Sequence, residues 1–429
     1  MICKQPLRPN CLKVFEVRDP LSSHDPSPCH VLICRVPSLN LQNYAQLKPL
    51  SRKRRSGLRK LTKHNPDFYN SGSTDQVTVH DNSTAYKKYK LRPRVLRDVS
   101  KVDPSATVLG KKIDFPLCVS PAGIQAMAHP DGELATSRAC AKRNVHMGVS
   151  SFSNYSVEEV CAASQAITPI GHVMQVYSMK DRSLQERIIK RAEKAGCTAI
   201  FLTADSPVLG VRYNEHRSDF RTPEGLAFPM LEKTTEMIRS ASHDEGFVGF
   251  NSDYHSWARE VPWLRSITKM QIWIKGVLTA EDVLLAREYG CDGVIVSNHG
   301  GRQLDGTPAT IDVLPECVEA AAGQIRVHID GGIRSGQDVF KALALGAECC
   351  WVGRPAIWGL AVCRKIFDDW RRLLTCLVQY DGEAGVTKML DVLYTDFRRC
   401  MQLTGCNSIA DISKSSLGIA RKDGPLARL

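Results

Sequence analysis

From about residue 115 onward, short apolar runs rich in β-branched residues alternate with longer segments whose apolar positions recur at spacings of three and four. The short runs predict strands at 115–121, 145–151, 172–177, 199–205, 271–277, 293–299, 326–332 and 349–354. The longer segments predict helices at 131–143, 181–196, 279–290 and 335–346. In the third of these, Val283, Leu284 and Ala286 follow the helical spacing and Thr279 stands ahead of them as an N-cap. Eight strands separated by helices over about 250–300 residues predict an α/β fold of the (β/α)8 TIM-barrel type, with a doubly wound sheet as the other architecture to weigh. The strand ends favour the barrel. Nearly every one closes on polar or glycine residues: Ser150-Ser151, Gln175, Thr203 and Asp205, Lys275, Ser297 to His299, Asp330 to Gly332, and Gly353-Arg354. A barrel gathers all of those ends on one face, where catalytic groups belong. The longest connection, 208–270, is too long for an ordinary loop and reads as a lid or substrate-gating segment.

Residues 1–66 lack any such period and are rich in Pro, Ser and basic side chains, which predicts a mostly disordered extension ahead of a domain over 67–429. The chain has 429 residues, 43% hydrophobic and 24% charged, an ordinary globular composition, with a formal net charge of +12. That charge is unevenly placed. The extension holds 13 Lys and Arg against three acids, so the remainder is nearly neutral and offers no basic surface for nucleic acid. With no run of eighteen apolar residues and no secretory leader, no membrane partner is expected and the chain reads as soluble and intracellular. The 16 cysteines contain no C-x-x-C pair, which disfavours a zinc or thioredoxin-like site and predicts reduced, inert thiols and no metal centre.

Two glycine-bearing strand ends come late, at Asp330-Gly331-Gly332-Ile333-Arg334 and Gly353-Arg354. Loops after the seventh and eighth barrel strands commonly bind phosphate, because glycine lets backbone N–H groups approach the anion and arginine adds a planar fork. Neither G-x-G-x-x-G after an early strand nor G-x-x-x-x-G-K-[ST] is present, so the phosphate belongs to neither a Rossmann dinucleotide nor a hydrolysed nucleotide. The densest chemistry lies at 297–305, SNHGGRQLD, which sets His299 and Arg302 three residues apart on a glycine-softened loop. That spacing suits a general base beside a carboxylate clamp.

The stretches RPRVLRDVS (92–100), AHPDGELATSRA (128–139), IKGVLTAEDV (274–283), SNHGGRQLDG (297–306) and DGGIRSGQDVFKALALGA (330–347) occur in that order. Through them the chain resembles the FMN-dependent L-2-hydroxy acid oxidases, the glycolate oxidase and long-chain hydroxy acid oxidase family. The resemblance implies FMN at the C-terminal face of the strands, and oxidation of an (S)-2-hydroxy acid to a 2-oxo acid with O2 reduced to hydrogen peroxide. It implies His299 as the base, Asp205 as the carboxylate that orients it, and Lys275 beside the flavin. It further implies Arg212, Arg302 and Tyr177 as substrate contacts. The FMN contacts it implies fall on Pro121, Ala122, Gly123, Ser150, Gln175, Thr203, Lys275, Ser297, Asp330, Gly331, Gly332, Ile333, Arg334, Gly353 and Arg354. A homo-oligomer, a tetramer, is implied as well.

Three departures stand out. Phe68 takes the place of a tyrosine that helps bind the substrate carboxylate in many members, which predicts a more apolar pocket. Gly123 stands where many oxidases have alanine, which predicts room beside the reactive atoms and keeps a 2-hydroxy acid dehydrogenase or monooxygenase as a rival. Residues 362–379 form an insertion of 18 residues between Ala361 and Tyr380. Together, Phe68 and the insertion leave a catalytically impaired barrel acting as a binding protein as the rival of another class. The chain ends Ala427-Arg428-Leu429, a variant of the S-K-L peroxisomal signal, so a peroxisomal address is expected ahead of a cytoplasmic or mitochondrial one.

Overall fold

A computed structural model describes residues 65–232, 246, 249–361, 382–419 and 427–428. The extension up to residue 64, the insertion at 362–379, residues 233–245, 247 and 248 of the long connection, and Leu429 lie outside them. In chain order the strands are β1 (Tyr89–Leu91), β2 (Ala106–Val108), β3 (Lys111–Ile113), β4 (Leu117–Val119), β5 (Met147–Ser150), β6 (His172–Tyr177), β7 (Ala199–Thr203), β8 (Gln271–Val277), β9 (Gly293–Val296), β10 (Arg326–Asp330), β11 (Cys349–Val352), β12 (Leu417–Ile419) and β13 (Ala427–Arg428). Strands β4 to β11 pair in sequence order and close on themselves, Trp351 of β11 lying opposite Cys118 of β4. Closure makes the fold an eight-stranded parallel barrel and excludes a doubly wound sheet.

Strict alternation along the strands explains why the sheet closes. Cys118, Val173, Ala199, Phe201, Trp273, Ile295, Cys349 and Trp351 share one buried cluster inside the barrel. Their neighbours Leu117, Val119, Met174, Val176, Ile200, Leu202, Ile272 and Ile274 belong to the cluster that packs against the helices. The antiparallel pair β2–β3 turns at Leu109-Gly110, both at positive φ (50° and 79°), and adds Val108, Leu109 and Ile113 to the inner cluster. His146, just before β5, bonds the Val108 carbonyl at 2.9 Å, which fixes this hairpin across the N-terminal end of the barrel. Burying each large side chain of this plug contributes about 1.5–3 kcal/mol.

All four predicted helices form, as Gly132–Lys142, Arg182–Lys194, Ala280–Glu288 and Gly336–Ala344. Thr279 caps its helix by accepting from the Asp282 N–H at 3.3 Å. Ser335 and Asp338 cap theirs reciprocally at 3.2 and 3.0 Å. Helices Val157–Gln165, Thr310–Ala321, Arg354–Ala361 and Gly382–Thr404 complete the outer ring. Ahead of the barrel, helix Asn65–Asn70 carries Phe68 and Tyr69 to the C-terminal mouth, and helix Val77–Thr84 follows it. Within the long connection lie helices Tyr213–Arg217 and Trp257–Ile267. β12 pairs antiparallel with both β1 and β13 outside the barrel.

Candidate active site

Where the strands end, a cleft of about 1260 Å³, counting its open mouth, gathers side chains from all eight of them. Of the predicted residues, Phe68, Pro121, Ala122, Gly123, Ser150, Gln175, Tyr177, Thr203, Arg212, Lys275, His299, Arg302, Asp330, Gly331, Gly332, Ile333, Arg334, Gly353 and Arg354 all line it. Asp205 and Ser297 stand one layer back, bonded to groups that do. Asp205 Oδ1 meets His299 Nδ1 at 2.9 Å, and the Lys275 ammonium donates to Ser297 Oγ at 3.1 Å.

The His299 loop is built to present one nitrogen. His299, Gly300 and Gly301 all take positive φ (55°, 64° and 75°), curling the chain back over the strand end, and the His299 N–H donates to Ser297 Oγ at 3.1 Å. A carboxylate only accepts, so the neutral imidazole keeps its proton on Nδ1 toward Asp205 and leaves the Nε2 lone pair free for base chemistry. Burial pulls the His299 pKa below its ordinary value, helped by Lys275 and Arg212, while Asp205 opposes the shift. Burial works against the Asp205 carboxylate, but His299 and Lys275 outweigh it and hold that carboxyl below its usual range. Burial likewise opposes the Lys275 charge, and Asp330, 3.6 Å away, together with Asp205 keeps it protonated. Gly276 at φ 109° serves this arrangement, since a Cβ there would lie 2.5 Å from the Asp205 Cβ.

Arg212 and Arg302 line the same cleft as the histidine. Arg212 Nε donates to the Arg302 carbonyl at 3.2 Å, and the Arg302 guanidinium donates to the Phe68 carbonyl and lies 5.1 Å from the Phe68 ring centre. Burial and the neighbouring Arg212 pull the Arg302 pKa down to about 10. Glu215, which sequence reasoning passed over, sits between the two arginines at 3.3 and 3.5 Å. Burial and the Asp205 charge raise the Tyr177 phenol, so it remains a donor. Tyr69, also passed over, ties its hydroxyl to the Ile124 carbonyl at 2.6 Å and steadies the loop that follows β4. Phe152 and Leu209 are further lining residues that no sequence motif marked.

At the far end the donor set suits a phosphate with a hydroxylated chain. A Cβ on Gly332 would lie 1.8 Å from the Asn82 carbonyl oxygen, so the backbone there approaches as only glycine allows. Helix Arg354–Ala361 begins immediately after Gly353 and turns its positive end toward the same corner. Arg334 and Arg354 bracket it, both lining the cleft. Among the described residues, Ser120 Oγ and Asp330 Oδ1 are buried without a hydrogen-bond partner, although their residues line the cleft. Such oxygens need a polar ligand. An FMN molecule, with its phosphate, ribityl hydroxyls and ring, fits these demands.

Comparison with known proteins agrees with this geometry. The family described as FMN-dependent dehydrogenase matches residues 58–365 and 371–419, the break falling inside the predicted insertion. The chain is 43% identical over 368 residues to 2-hydroxyacid oxidase 1 of Mus musculus, covering 84% of this chain and 92% of the relative. It is 44% identical over 362 residues to glycolate oxidase 3 of Arabidopsis thaliana, covering 83% and 92%. A crystal structure of mandelate oxidase superposes with a TM-score of 0.75 at 32% identity, over 89% of this chain and 99% of that one. A barrel with an FMN-shaped donor set at its mouth, matched by the family along most of its length, means that this chain belongs to the FMN-dependent dehydrogenases, among the oxidases of 2-hydroxy acids.

Proposed function

We propose that the cleft oxidises an (S)-2-hydroxy acid to its 2-oxo acid, with O2 reduced to hydrogen peroxide, and that His299 is the base. One observation carries the assignment of roles: His299, backed by Asp205 at 2.9 Å, lines the same cleft as Arg212 and Arg302. Arg212 and Arg302 hold the substrate carboxylate by charge-assisted bonds, and Tyr177 adds a neutral donor. The α-hydroxyl then falls to His299 Nε2, which removes its proton, while Asp205 offsets the imidazolium charge that results. FMN held in the cleft would supply the hydride acceptor for the α-carbon and the route for the electrons to oxygen. Lys275 supplies a fixed positive charge where negative charge builds up on reduction. Pro121, Ala122, Gly123, Ser150, Gln175, Thr203, Ser297 and Asp330 would contact the ring and ribityl chain. Gly331, Gly332, Ile333, Arg334, Gly353 and Arg354 would take the phosphate.

An apolar substrate side chain is supported by Phe68, whose ring stacks on Phe220 at 4.7 Å between centroids. Gly123 does not simply leave room: a Cβ there would lie 3.0 Å from Phe152 Cβ and 3.1 Å from its carbonyl oxygen, so Phe152 already bounds that space. A peroxisomal address suits a peroxide-forming enzyme, and the tripeptide Ala427-Arg428-Leu429 resembles the S-K-L signal. No helix among the described residues is long and apolar enough to cross a membrane. The family resemblance supports a homotetramer.

The test is anaerobic mixing of the purified yellow protein with a panel of hydroxy acids, from glycolate to long-chain and aromatic ones, followed by aeration. Bleaching with one stereoisomer and peroxide equal to product supports the oxidase. Bleaching without peroxide on aeration supports the dehydrogenase or monooxygenase. A colourless protein that takes up no FMN would leave only the binding role.

A further inference from the structure

We infer that Glu215 sets the charge of the carboxylate clamp and so makes the site selective for monocarboxylates. The inference rests on the proposal that Arg212 and Arg302 hold the substrate carboxylate. Arg212 immediately precedes the short helix Tyr213–Arg217, and the spacing of three residues brings Glu215 onto the same face. One oxygen, Glu215 Oε1, lies 3.3 Å from Arg212 Nη1 and 3.5 Å from Arg302 Nη2. All three side chains are shielded from solvent: Arg212 is 5% exposed, Glu215 6% and Arg302 16%, so their charges act on one another with little screening.

Outside the clamp these groups leave no spare positive charge: Asp205 bonds the neutral His299 at 2.9 Å, and Lys275 pairs with Asp330 at 3.6 Å. Two guanidinium groups sharing one carboxylate leave a single positive charge. One substrate carboxylate neutralises it, and a second carboxylate on the substrate would add a negative charge near Glu215 beyond what the two guanidinium groups can offset. Without Glu215 the clamp would carry two unopposed positive charges in a buried place and would favour dianions. Glu215 is thus a positioning and specificity-determining residue that acts through the two arginines.

The test compares FMN-loaded parent, Glu215→Gln and Glu215→Asp proteins by titration with pyruvate, a monoanion, and oxalate, a dianion. Binding is followed by the flavin absorbance change and by calorimetry. Glutamine keeps the size and one acceptor oxygen but removes the charge. It is expected to raise the affinity for oxalate about tenfold relative to pyruvate, the scale of one unit charge removed at about 6 Å in a medium between protein and water. The KM for a monocarboxylic hydroxy acid should fall by a larger factor than kcat changes, and Glu215→Asp should keep the parent's oxalate-to-pyruvate ratio. An unchanged ratio in Glu215→Gln, or the same change in Glu215→Asp, overturns the inference. If Glu215→Gln does not load FMN, Glu215→Met gives the same reading. Failure of the parent itself to bind either anion would instead overturn the arginine clamp, and the inference with it.

Discussion

His299 adopts φ 55°, a left-handed conformation that costs a residue with a Cβ roughly 1–2 kcal/mol and persists only where surrounding bonds enforce it. Here the Ser297 hydroxyl and the Asp205 carboxylate do so, and the outcome is a base with a fixed tautomer. Because burial lowers the His299 pKa below the ordinary 6.5, the neutral, competent form persists on mild acidification. Activity is lost only as pH falls through that lowered value. The acid limb of kcat/KM is therefore expected below pH 6.5, and a limb above 6.5 in a pH–rate profile would count against His299 as the base. Motif residues were legible at this scale because their chemistry is rare at strand ends: a histidine, a lysine and an aspartate closing neighbouring strands have few structural uses. Glu215 was not legible, since an acid in a long polar connection looks like any surface acid until the fold brings Arg302 beside it. The role of Gly123 was likewise hidden, because its surroundings depend on Phe152, 29 positions further along the chain.

The eight barrel strands were readable, because inward and outward apolar residues alternate along them. Several predicted strands ran past the observed ends by one to three residues: 293–299 shrinks to Gly293–Val296, and 326–332 to Arg326–Asp330. The physical reason is that the chain leaves the ladder at these points so that His299, Gly331 and Gly332 face the cleft, and that departure is what makes them useful. The hairpin β2–β3 escaped sequence reading because two strands of three residues carry almost no periodic signal. The glycine loop after β10 offers a direct test at this scale. Gly332→Ala would drive a Cβ against the Asn82 carbonyl and displace the loop, so the variant is expected to purify with little or no FMN while retaining its far-ultraviolet circular dichroism. Flavin content per polypeptide checks it, and full occupancy would show that the loop does not hold the phosphate.

At the scale of the molecule, the closed barrel separates what the fold needs from what has been added to it. The helices Arg354–Ala361 and Gly382–Thr404 pack against each other, with the predicted insertion falling between their ends, so its removal joins elements that already meet. A chain lacking residues 362–379 is expected to load FMN with affinity equal to that of the parent and to melt at the same temperature or higher, as thermal denaturation with flavin fluorescence would show. A lower melting temperature and weaker FMN binding would mean that the segment is part of the working barrel. The sealed floor has another consequence. Phe201, Trp273 and Trp351 fill the interior and the β2–β3 hairpin covers its far end, so among the described residues the barrel has one mouth. Acid, oxygen, oxo acid and peroxide all share that doorway. Turnover thus becomes a queue, in which a slowly departing oxo acid delays the next oxygen molecule and the traffic of small molecules, rather than bond breaking, can set the pace.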